Sequence, residues 1–90
     1  MNAMKIDEVL MRPAPELGDT LLVAGRPAVV VALLPGRYRH QATARCAYDL
    51  PCDRCGAPLS YSGVHQSWRC DGCRVAYSHA ALARLAHVHG

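Results

Sequence analysis

The apolar positions of this 90-residue chain fall into short runs separated by proline and glycine. Thr20 to Ala24 is one run, Gly25-Arg26-Pro27 supplies a turn after it, and Ala28 to Leu34 is a longer run, β-branched in its first half. Pro35-Gly36 interrupts again, and Thr43 to Tyr48 can form another strand. Short apolar runs bounded in this way predict strands, so residues 19–50 read as a small β unit, a short meander. Nearer the N-terminus, Ile6, Val9 and Leu10 stand at roughly helical spacing, enough for one or two turns before Pro13 and Pro15 stop them. Residues 1–18 therefore read as a flexible arm, either loose or docked on a partner or a neighbouring copy. At the other end Ser78 to Val88 predicts a helix. Ser78 can accept a first-turn N–H bond, and Leu82, Leu85 and Ala86 line one face.

Residues 51–77 carry the chemistry. Cys52, Cys55, Cys70 and Cys73 form two C-x-x-C pairs with 14 residues between them. Two residues between ligands let one tight turn present both sulfurs to one cation, and two such turns complete a tetrahedral site. The gap fits a short hairpin, Leu59 to Trp68, with its turn near Ser62-Gly63. Tyr61, Val64 and Trp68 can pack over the metal site or against the β unit. For Trp68, core packing is preferred to an exposed stacking platform. One structural Zn²⁺ is the expected ion, with iron as second choice. Four thiolates fill every position of the ion and leave none for water or substrate, so the site is expected to stabilise the fold and not to catalyse.

The first knuckle, Cys52-Asp53-Arg54-Cys55-Gly56, resembles the zinc-ribbon superfamily with its rubredoxin-like knuckles, whose first knuckle is typically C-x-x-C-G. A glycine there can turn backbone N–H groups toward the thiolates. The second knuckle, Cys70-Asp71-Gly72-Cys73-Arg74, departs from the pattern, because Arg74 stands where glycine is usual. The resemblance covers about 25 residues and transfers the four ligands and Gly56. It implies a contact surface of the kind found in transcription factors, polymerase subunits and ribosomal proteins. Separately, Gly18-Asp19, strand, Gly25-Arg26-Pro27, strand resembles the opening of SH3-like barrels, including small nucleic-acid-associated ones. The expected fold is thus a small β-rich zinc-binding protein. Its parts are an arm (1–18), a short SH3-like or meander β unit (19–50), and a Cys₄ zinc ribbon with one C-terminal helix (51–90).

Composition adjusts this picture in three ways. Phe is absent and Trp68 is the only tryptophan, so the core must be Val, Leu and Ala with some Tyr. A chain this short gains from a metal staple. The formal charge is +3; four thiolates and one Zn²⁺ add −4 + 2 = −2, leaving about +1, so the protein is only weakly basic overall. Charged residues in the first twenty positions argue against a signal peptide, and the seven-residue run Ala28 to Leu34 is too short for a membrane span. Paired spacing of cysteines suits metal in a reducing cytoplasm better than disulfides.

Arg37-Tyr38-Arg39-His40, with Arg45 following, is the most basic stretch and contains an aromatic. Guanidinium groups bind phosphate, and tyrosine stacks on bases. Arg37, Tyr38, Arg39 and Arg45, helped by Arg54, Arg69 and Arg74, are therefore the candidate nucleic-acid-binding residues. Cys46 reads as a buried small apolar residue, not a nucleophile. The five histidines form no second site. The expected function is a non-enzymatic adapter that binds DNA, RNA or a nucleoprotein complex such as transcription machinery. The alternative is a structural or assembly subunit of a larger complex, viral or cellular, that docks through the arm or the helix.

Overall fold

The computed structural model describes residues 5–89. Seven strands and one helix follow in the order β1 (Ile6–Met11), β2 (Thr20–Val23), β3 (Arg26–Pro35), β4 (Ala42–Ala47), β5 (Ser60–Ser62), β6 (Ser67–Cys70), β7 (Val75–Tyr77) and α1 (His79–His89). The first four form a curled antiparallel sheet in the order β1-β4-β3-β2, and the last three strands form a second sheet in the order β5-β6-β7. The described residues are thus β-rich with one C-terminal helix.

Ile6–Met11 is a strand and not helical turns. It pairs with β4 along its whole length, from Ile6 opposite Ala47 to Met11 opposite Ala42. Asp7, Val9 and Met11 share one face, while Ile6, Glu8 and Leu10 share the other, and each face mixes charged and apolar residues. That mixing hides the two-residue period expected of a half-buried strand.

The β2–β3 turn also sits one step earlier than Gly25-Arg26-Pro27. Val23 pairs with Arg26, so Ala24 and Gly25 are the two central residues, with φ of 52° and 83°. Positive φ at both positions defines the type I′ hairpin turn, whose twist matches that of the flanking strands.

β3 is the spine of the molecule. Its run Ala28, Val29, Val30 and Val31 is buried throughout. Ala28 and Val30 pack with Ala44, Cys46 and Tyr48 on the inside of the curl, supported by Val9, Leu17 and Leu21. Val29 and Val31 point the other way, into a core made with Leu50, Leu59, Trp68, Leu82 and Leu85. A strand covered on both faces reads as a continuous apolar run, which is why no alternation marks it in the sequence. A register shift between Val30 and Ala32 lets β3 continue against β4 with one extra residue at Val31.

Helix α1 begins as expected: the Ala81 N–H donates to Ser78 Oγ at 3.2 Å, and the Leu82 N–H donates to the Ser78 carbonyl at 2.9 Å. Its face of Leu82, Leu85 and Ala86 is buried on β3 and on the second sheet. Gly18 (φ 87°) lies against its backbone, where an added Cβ would stand 2.8 Å from the Ala83 nitrogen. Asp19 accepts a 2.8 Å contact from His79 at the helix start. Among the described residues no helix is long and apolar enough to cross a membrane.

Candidate metal centre

The two knuckles are built differently. The first closes a turn between Leu50 and β5: the Cys52 N–H donates to the Ala57 carbonyl at 2.8 Å, and the Gly56 N–H donates to the Cys52 carbonyl at 2.9 Å. The second is the β6–β7 turn itself, since Cys70 ends β6 and pairs with Val75. A hydrogen bond from Ser60 Oγ to Asp71 Oδ2, 3.2 Å, ties the first hairpin strand to the second knuckle.

These turns bring Cys52, Cys55, Cys70 and Cys73 together, with all four sulfurs within 4.8 Å of one another. Cys52 and Cys73 Sγ are 3.9 Å apart, and Cys55 and Cys70 Sγ are 3.4 Å apart. Four sulfurs around one tetrahedral ion, each bonded at about 2.3 Å, stand about 3.8 Å from one another. The cluster therefore fits a metal ion, and its arrangement is compatible with a zinc-ribbon pair of knuckles. The chemistry of the donors agrees, because thiolates are soft ligands.

Backbone geometry prepares the sulfurs for charge. The Arg54 N–H donates to Cys52 Sγ, and the Cys73 N–H donates to Cys70 Sγ, both at 3.4 Å. Gly56 takes φ 75° and Arg74 takes φ 53°, so the residue after the second cysteine is left-handed in both knuckles. Arginine in place of glycine thus alters the cost of the turn and not its shape.

Tyr77, at the end of β7, adds a contact the sequence did not announce. Its hydroxyl lies 3.2 Å from Cys52 Sγ and 2.7 Å from Asp53 Oδ1, so its one proton is shared between the sulfur and the carboxylate. Hydrogen bonds from Tyr77, then from the first knuckle's backbone, lower the Cys52 thiol to about 6. Cys73 moves the opposite way, up to about 12, through hydrogen bonding with Cys55 and then burial. Without a cation the cluster therefore shares protons unevenly; a divalent ion would displace those that remain.

Trp68 is 2 % exposed and packs in the core, where its ring sits 5.3 Å from that of Tyr61. Its Nε1–H donates to Thr20 Oγ1 at 2.8 Å and joins the two sheets. Val64 does not pack over the site: it is 90 % exposed, because the β5–β6 loop extends to Gln66 and carries it outward. Cys46 is buried inside the curled sheet, and burial, then Asp7, raises its thiol.

The candidate binding residues divide into separate places. Arg37, Tyr38 and Arg39 lie exposed on the β3–β4 loop, at the end of the sheet away from Leu50 and the knuckles. Arg54, Arg69 and Arg74 lie exposed on the second sheet and its knuckles. Arg45 belongs to neither set; its Nε is buried without a hydrogen bond among the described residues, 3.9 Å from Glu8 Oε1. Two further arginines come into view only in three dimensions. The Ala14 N–H donates to the His40 carbonyl at 3.1 Å, which lays the segment after Arg12 along the β3–β4 loop. Arg26 stacks over the Tyr48 ring at 4.4 Å, beside the hydrogen bond from Tyr48 to Asp7. Both pairings join residues far apart in the chain, so no local signal marks them. No protein-family model matches the chain, and no curated protein or solved structure matches it either.

Proposed function

We propose that this chain is a non-catalytic zinc-ribbon adapter that binds nucleic acid or a nucleoprotein complex. One structural Zn²⁺ is held by Cys52, Cys55, Cys70 and Cys73, and the four sulfurs leave no position for a reacting group. Iron would suit the same thiolates, and a colourless protein as purified would set it aside.

The observation that carries the binding reading is the far end of the curled sheet. Arg37, Tyr38, Arg39 and His40 are all exposed there, and Arg12 joins them through the Ala14–His40 hydrogen bond. No acidic residue occurs between Val9 and Pro15 or between Ala32 and Asp49 short of that aspartate, so the positive charge is local even though the whole protein is nearly neutral. The direct test is anisotropy of labelled DNA and RNA with the zinc-loaded protein at two salt concentrations. Binding that weakens steeply with salt supports the proposal, and no binding at low salt removes it.

A second reading, an assembly subunit whose zinc only replaces core, is favoured by the exposed Leu10 and Leu34. Of the arm and the helix, Ile6–Met11 pairs with β4 as an edge strand, and the apolar face of α1 is buried. A strictly monomeric protein at high concentration would weaken this alternative.

A further inference from the structure

The register of the curled sheet places Leu10 and Leu34 on either side of Thr43: Leu10 pairs with Thr43 from β1, and Thr43 pairs with Leu34 of β3. All three side chains therefore share one face. Leu10 is 60 % exposed and Leu34 is 45 % exposed. One residue beyond Leu34 the strand ends, and the loop that follows holds Tyr38 at 61 % exposure between Arg37 and Arg39. Arg12 approaches the same loop from β1. Apolar, aromatic and cationic groups thus run together along one end of the sheet.

We infer that this end of the sheet binds unpaired nucleotides, with Tyr38 as the stacking group and Arg12, Arg37 and Arg39 on the phosphates. The inference rests on the nucleic-acid reading above and narrows it to single strands. A duplex offers phosphates and groove edges while its base faces stay stacked inside, so exposed leucines and a tyrosine would gain little from it. Unpaired bases present apolar faces to aromatic and aliphatic side chains, and their phosphates follow within reach of arginine. An acidic protein partner would meet the arginines too, but it offers nothing in particular to Tyr38.

The test compares fluorescein-labelled dT and rU oligonucleotides of about ten nucleotides with a hairpin duplex of similar length, at about 50 and 200 mM salt. The expected result is tighter binding of the single strands, with dT against rU reporting any role of the 2′-hydroxyl. Tyr38→Ala should weaken single-strand binding roughly 5- to 100-fold and leave the salt slope unchanged, while Tyr38→Phe retains binding. Arg37→Ala/Arg39→Ala should flatten the slope of log K against log salt by about 1.4. Tyr38 is exposed, so circular dichroism should show the same fold for both tyrosine variants. Duplex binding equal to or tighter than single-strand binding overturns the inference and leaves the wider proposal standing. Loss of binding confined to Arg54→Ala/Arg69→Ala/Arg74→Ala moves the site to the knuckles and also overturns it. No binding of any probe overturns both readings.

Discussion

Gly56 and Arg74 occupy equivalent places after the two cysteine pairs, and both are left-handed, at φ 75° and 53°. For arginine this conformation costs about 1 kcal/mol that glycine avoids. Arg74→Gly should therefore stabilise the protein by roughly 0.5–1 kcal/mol, read as a higher urea midpoint of the metal-loaded form. Gly18 poses the opposite case. Gly18→Ala would press a Cβ against the Ala83 backbone and should cost roughly 2 kcal/mol or more, while Gly25→Ala, with open space around it, should cost only about 1 kcal/mol. Cys46 gives a pH dependence. Burial raises its thiol above the ordinary value of 9.0, so the folded state favours the neutral form. Its contribution is complete below about pH 9 and is lost as the pH climbs toward its folded value. Urea midpoints of the wild type and Cys46→Ala, compared between about pH 8 and pH 10.5, should show a smaller alkaline loss in the variant. The pairing of the four cysteines in two tight turns, the left-handed Gly56 and the Ser78 cap were legible in the sequence because each depends on neighbours within a few residues. Arg26 over Tyr48, Arg45 beside Glu8, and Tyr77 against Cys52 were not, because folding alone brings them together.

Among the elements, the helix and the buried run of β3 were readable from periodicity and from length, whereas β1 was not. Its helical spacing of Ile6, Val9 and Leu10 was overridden by pairing with β4, a partner more than thirty residues away. Tertiary context often overrides local preference in this way. The β2–β3 turn was misplaced by one residue because Ala24, without a turn signal of its own, takes the left-handed conformation. Asn at that position suits a type I′ turn, so Ala24→Asn should raise stability by about 0.5–1 kcal/mol in a denaturant titration. Between elements, the bond from Trp68 Nε1 to Thr20 Oγ1 holds the second sheet to the first. Thr20→Val keeps the shape and strands the buried indole N–H, at a cost of about 1–3 kcal/mol in urea unfolding.

In the whole molecule the cysteine cluster and the hydrophobic core are one structure. Cys52 and Cys70 pack in the same buried cluster as Val29, Trp68 and Leu85, which come from the curled sheet, the second sheet and the helix. A metal ion at the sulfurs would therefore hold more than its own two turns. The positive end of the curled sheet lies at the opposite side, so the surface proposed for binding stands apart from the cysteine cluster. This arrangement predicts that chelation loosens the helix along with residues 51–77, and that nucleic-acid binding declines only as the sheet itself loses order. The most direct measurement is metal analysis of the purified protein, coupled to hydrogen exchange before and after a strong chelator removes the ion. One zinc per chain, with exchange protection lost across Cys52–Tyr77 and α1 on chelation, is the result the account requires. A metal-free protein, or a zinc-loaded one whose protection is unchanged by chelation, would contradict it.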